Sequence, residues 1–91
     1  VYALRVQGDS MIDEGIHDGD LVLVEARNNP RPRDIVVAVL EDGEATLKRY
    51  IPLENGRVRL EPANARLKPV ELDSVEVRGI LTGVIRQVRS S

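Results

Sequence analysis

Apolar residues along this chain come in short bursts of Val, Leu and Ile, and turn residues close each burst before a helical period can build. The bursts predict strands near residues 2–7, 21–26, 34–40, 45–51, 57–61 and 75–86, with one short helical turn from Met11 to Glu14. Glu41-Asp42-Gly43 reads as a tight hairpin between the third and fourth strands, and Asn55-Gly56 as a second. Residues 28–33, with Pro30 and Pro32, form an exposed loop, and residues 62–69 are irregular. Gly79 and Gly83 fall inside the last strand and are expected to bend it. The expected class is therefore mainly β: a small domain of coiled antiparallel strands and hairpins.

Composition narrows that picture. The chain has 91 residues, enough for one modest domain, with 42% hydrophobic residues, thirteen Val, and neither Phe nor Trp. Its core must be aliphatic, and the β-branched excess favours strands. Thirteen basic and fifteen acidic residues leave a net charge of −2, unlike the footprint of a nucleic-acid binder. With no cysteine, disulfides and thiolate metal sites are excluded. The longest apolar run, residues 35–40, is far too short to span a bilayer. No signal peptide is visible, and an opening on Val1 is expected of a fragment whose N-terminal part lies elsewhere.

Alternation brings out the candidate chemistry. Along the fourth strand Ala45, Leu47 and Ile51 share one face and are expected in the core, while Thr46, Lys48 and Tyr50 share the other. Lys48 thus leaves the core side with Thr46 as its neighbour. It is either a lysine reaching solvent or a base. Ser10, in Gly8-Asp9-Ser10-Met11, is either a turn residue or a nucleophile, and a serine hydroxyl needs a base to take its proton. The sole histidine, His17, lies in an acidic turn and reads as exposed. Position 12 is Ile where a nucleophile elbow needs Gly, so a His-based triad is a poor fit. An EF-hand register around Gly19 would put Ile16 where an oxygen ligand belongs, so no metal site is expected and no cofactor is called for. A lysine base requires only an apolar setting that lowers its pKa, and serine–lysine dyads are an established variant of the triad.

The order of motifs then becomes specific. Gly8-Asp9-Ser10-Met11 followed by Gly15-Ile16-x-Asp18-Gly19-Asp20-Leu21 resembles the serine region of the LexA/UmuD-type autoproteases. Ala45-Thr46-Leu47-Lys48, 38 residues after the serine, resembles that family's lysine segment, with Asp34-Ile35-Val36-Val37-Ala38 as the preceding strand. Leu60-x-Pro62-x-Asn64, Val77-x-Gly79 and Val84-Ile85-Arg86 fit as well, so the likeness covers essentially the whole chain.

The resemblance implies that Ser10 is the nucleophile and Lys48 the general base. By the same likeness the backbone N–H groups of Ser10 and Asp9 would form the oxyanion hole, Thr46 would orient Lys48, and Met11 would line the substrate cleft or fill the core. Asp9, Asp18 and Asp20 would otherwise shape the loop. The family cuts one peptide bond of its own polypeptide, commonly Ala-Gly or Cys-Gly, a dipeptide absent from these 91 residues. Residues 1–91 would then be the catalytic and dimerisation domain. The cleavage loop and an N-terminal DNA-binding domain, through which alone operator DNA would be met, would lie outside the chain. In repressors of this build, RecA filaments on single-stranded DNA stimulate the cut and induce the SOS response in the bacterial cytoplasm. Residues 80–88 are the apolar candidate for homodimer pairing, or an ordinary buried strand. A UmuD-like translesion polymerase subunit and a phage repressor are the other branches of the family. Signal peptidases share the dyad but need a membrane anchor, and none is visible. A non-catalytic β interaction module is the alternative from another class.

Overall fold

The computed structural model describes residues 1–86. All six expected strands form: β1 (Tyr2–Arg5), β2 (Leu21–Glu25), β3 (Ile35–Val39), β4 (Ala45–Pro52), β5 (Val58–Glu61) and β7 (Glu76–Ile85). A seventh, β6 (Val70–Leu72), was not expected; it is three residues long, too short to display alternation. The helical turn is a single 3-10 turn at Ile12–Glu14. All pairings are antiparallel, in one sheet of order β1-β2-β7-β3-β4-β5-β6.

Both hairpin signals form hairpins. Between β3 and β4, Gly43 takes a φ of 83°, and the Asp42 carboxylate accepts the Glu44 N–H at 2.9 Å. Asn55 and Gly56, at φ 63° and 77°, turn β4 into β5 as Asn-Gly pairs do in hairpins. Gly79 and Gly83 mark bends, as expected. Against β2 the register slips between Leu23 and Val24, leaving Thr82 unpaired beside Gly83. Against β3 it slips between Val37 and Ala38, leaving Arg78 unpaired beside Gly79. These are β-bulges, which coil a strand more tightly.

The coiled sheet carries apolar side chains on both faces. One cluster gathers Met11, Ile16, Val22, Val24 and Val37; the other gathers Val36, Ala38, Val58, Leu60 and Ile80. Neighbouring residues of β3 feed opposite clusters, which is why that strand reads as an unbroken apolar run. The two-sided burial corrects the expectation for β4. Of the face expected in the core, Leu47 packs on the first cluster, while Ala45 is exposed and Ile51 is only half-buried. Lys48 does not leave the core side. It pairs directly with Val36 and Thr46 with Ala38, so both share a face with the second cluster, as Tyr50 does.

β7 lies inside the sheet, hydrogen-bonded to β2 on one side and β3 on the other. β3 pairs only with residues 76–80 of β7, so residues 81–85 are paired on the β2 side alone. The rest of the expected pairing segment, Gln87 and Val88, lies outside the described residues. Ile80 is buried, whereas Val84 and Ile85 are exposed.

Gly79 leaves no room for a side chain. A Cβ there would collide with Val24 Cγ1 and come within 2.9 Å of the Tyr2 hydroxyl and 3.1 Å of the Glu25 carbonyl oxygen. Gly79→Ala is expected to destabilise the fold by about 1–3 kcal/mol, the usual range for overpacking. Urea denaturation monitored by far-UV circular dichroism checks this, with Gly43→Ala, strained only by its positive φ, for comparison.

Candidate active site

The loop between β1 and β2 carries Ser10, and its shape is held by hydrogen bonds from distant parts of the chain. Gly8, at φ 87°, begins the turn, and its N–H donates to the Asp18 carboxylate at 2.8 Å. The Gly19 N–H donates to the Val6 carbonyl and the Val6 N–H to the Asp20 carbonyl, both at 2.8 Å, closing the base of the loop. Met11 is buried in the first cluster, anchoring the residue next to Ser10. Asp18 and Asp20 therefore act as loop architecture, and His17 is exposed.

Asp20 is the buried polar centre of this loop. Its carboxylate takes two bonds from Arg86, Nε at 2.9 Å and Nη2 at 2.7 Å, and one from the His17 N–H at 2.8 Å. The same Arg86 Nη2 donates to the Gly15 carbonyl at 2.7 Å. The residue after β7 thus clasps both ends of the segment 15–20. The Arg86 hydrogen bonds and the His17 N–H hold the Asp20 carboxyl down at about 2, against an ordinary 3.8.

A cavity of about 250 Å³ opens beside Ser10. β1 and the chain after it line it with Leu4, Val6 and Gln7; Ser10 and Met11 come from the loop; Thr46 and Leu47 come from β4. Met11 therefore both fills the core and lines this cavity. Lys48 and Asp9 are not in the lining among the described residues. Lys48 is joined to the cavity through its neighbour, since Nζ donates to Thr46 Oγ1 at 2.5 Å and to the Leu47 carbonyl at 3.1 Å. Among the described residues no hydrogen bond links the Ser10 hydroxyl to Lys48. Burial pushes the Lys48 ammonium below its ordinary 10.5, against the pull of the nearby Glu44 carboxylate. Asp9 is exposed, and its carbonyl accepts the Ile12 N–H at 3.1 Å and Asn64 Nδ2 at 2.9 Å.

Asn64 is a residue whose position sequence reasoning missed. It is buried, and it reaches the serine loop from 55 residues away. The Leu60-x-Pro62-x-Asn64 motif was the available signal, although it carries no hint of the partner. Arg86 is a second such residue, since nothing local predicts its bond to Asp20 across 66 residues. Among the described residues no three His, Cys, Asp or Glu side chains converge as metal ligands, and no helix is long and apolar enough to cross a membrane.

A loop serine thus lines one cavity of a coiled antiparallel sheet together with Thr46, whose hydroxyl holds a half-buried lysine on the same strand. The family model described as Peptidase S24-like matches residues 1–82, and the chain belongs to that family. It is 48% identical over 94 residues to the LexA repressor of Myxococcus xanthus, covering 98% of this chain and 41% of that protein. Identity to the LexA repressor of Bacillus cytotoxicus is 47% over 88 residues, covering 97% and 42%. For the LexA repressor of Leptospira interrogans it is 50% over 86 residues, covering 94% and 41%. The chain spans about two fifths of the length of these relatives.

The Asp20 carboxylate ties acid stability to the loop. Its pKa is lowered on folding, so its stabilising contribution is complete above the unfolded value near 3.8 and is lost as pH falls toward about 2. Asp20→Asn is expected to lower stability at neutral pH and to flatten the dependence between pH 4 and 2. Thermal unfolding of both proteins across that range checks the sign.

Proposed function

We propose that this chain is the self-cleavage domain of a LexA-type repressor, with Ser10 as nucleophile and Lys48 as general base. The observation that carries the proposal is the setting of Lys48: half-buried, its pKa lowered by desolvation, its Nζ held by Thr46 Oγ1, and Thr46 lining the cavity that Ser10 also lines. A lysine must be neutral to accept the serine proton, and desolvation favours the neutral amine. To act as the base, the amine gives up its contact with the Leu47 carbonyl and presents its lone pair to Ser10, while Thr46 Oγ1 goes on accepting one N–H. Ser10 Oγ then attacks the scissile carbonyl while Nζ takes its proton. The resulting ammonium returns that proton to the leaving amine. The Ser10 and Asp9 N–H groups have no acceptor among the described residues, so both are available to the developing oxyanion.

The larger setting is part of the same reading. The substrate is a single bond in the chain's own polypeptide, lying in a segment N-terminal to this one. Cutting separates this domain from a DNA-binding domain and ends repression. RecA filaments on single-stranded DNA would stimulate the step by favouring the cut-ready arrangement. The protein would act as a homodimer in the bacterial cytoplasm, with the exposed Val84 and Ile85 as apolar surface near the end of β7.

In the complete polypeptide, self-cleavage is expected to rise with pH and level off at a midpoint below 10.5, as Lys48 loses its proton. Ser10→Ala and Lys48→Ala should each slow it by about 10⁴-fold or more, as removing a nucleophile or base does in other serine peptidases. Cleavage by Lys48→Ala at the wild-type rate, read on a denaturing gel, would remove the lysine from the mechanism.

A further inference from the structure

We propose that Asn64 is a positioning residue that fixes the Asp9–Ser10 peptide plane and so aims the Ser10 N–H at the site of the developing oxyanion. The inference deepens the peptidase reading and rests on it for its chemical meaning. The geometry behind it is independent of that reading.

A peptide unit is planar and trans, so its N–H points opposite to its C=O. Whatever holds the Asp9 carbonyl therefore sets the direction of the Ser10 N–H, the donor one bond away from the nucleophile's own Cα. The Ile12 N–H reaches that carbonyl at 3.1 Å, but this bond lies within the loop and moves with it. Asn64 Nδ2 reaches it at 2.9 Å from the segment after β5, tying the peptide plane to a different part of the fold.

Asn64 is itself fixed on every side. It is 9% exposed; its Oδ1 accepts the Arg66 N–H at 2.9 Å, and its carbonyl accepts the Leu67 N–H at 3.0 Å. Only one orientation of the amide satisfies both side-chain contacts. Rotating it by half a turn would set oxygen against the Asp9 carbonyl and an NH₂ group against the Arg66 N–H. The flanking residues brace the same junction. The Asp13 N–H donates to the Ala63 carbonyl at 2.6 Å, and the Ala65 N–H donates to the Asp13 carboxylate at 3.0 Å. Residues 63–65 therefore clamp residues 9–13 at three points, and the point next to Ser10 is made by the Asn64 amide. Leaving the Asp9 carbonyl with the Ile12 bond alone frees the peptide plane to tilt.

The test uses the full-length polypeptide. Asn64→Asp keeps the volume and the acceptor for Arg66 while removing the donor to Asp9; Asn64→Ser also removes the reach. Both are expected to lower the plateau of the pH–rate profile about 10- to 100-fold, less than the roughly 10²–10³ lost when an oxyanion donor is deleted outright. The midpoint should stay where Lys48 sets it, because the change leaves the base alone. A second readout does not depend on activity. In ¹⁵N-serine-labelled protein carrying Lys48→Ala to prevent cutting, the residual dipolar coupling of the Ser10 N–H should shrink toward zero when Asn64→Asp is added. An unchanged plateau, a moved midpoint or an unchanged Ser10 coupling would overturn the proposal. Unfolding of both variants would make Asn64 a folding residue only, and would overturn it too. If the wild-type polypeptide does not cut itself at all, the peptidase reading fails, and the Ser10 coupling still decides whether Asn64 sets the peptide plane.

Discussion

Two sets of backbone hydrogen bonds to β7 join the two halves of the sheet into one. On one side β7 pairs with β2, which carries β1 and receives the serine loop. On the other it pairs with β3, which leads through β4 and β5 to β6. No other strand bridges the two halves of the sheet among the described residues. Ser10 belongs to one half and Lys48 to the other, so β7 sets the relation between them. The close approach of Gly79 to Val24 and Tyr2, and the two bulges, give that junction its coil. A flatter β7 would separate the strands that meet at the cavity.

Polar contacts then turn the serine loop from a flexible connection into part of the frame. Asp18, Asp20, Arg86 and Asn64 each take or give hydrogen bonds at sites the local chain leaves open. Most of these bonds span long stretches of sequence, so the loop acquires its shape only when the whole sheet exists. Two of the carboxylates in this acidic stretch, Asp18 and Asp20, therefore serve geometry. The chemistry proposed for the stretch falls to its one small hydroxyl.

How much of this was legible in the sequence depended on distance along the chain. Strands with their own alternation, such as Leu-Val-Leu-Val-Glu in β2, and turns with their own chemistry, such as Asn55-Gly56, declared themselves. β6 did not, because three residues make a strand only through the partner beside them. Its pairing with β5 is reinforced by Arg57 and Arg59 reaching the Glu71 carboxylate. The face of β4 was misread for a related reason. Alternation distinguishes two faces, but it cannot show that a coiled sheet buries both, and that burial surrounds Lys48 with Val36 and Ala38 across the strand. That Thr46 neighbours Lys48 could be read from alternation along one strand. The contacts of Asn64 and Arg86 could not, since their partners lie 55 and 66 residues away.

The order of strands in space differs from their order in time. β7 is the last of the seven to be synthesised, yet it sits third from one edge, between strands made far earlier. The sheet can close into one only when residues 76–85 have been made and take their place between β2 and β3. Non-local closure of this kind is slow compared with forming a hairpin. The cavity, which draws Ser10 from one half and Thr46 from the other, is consequently complete only after the last strand has been made.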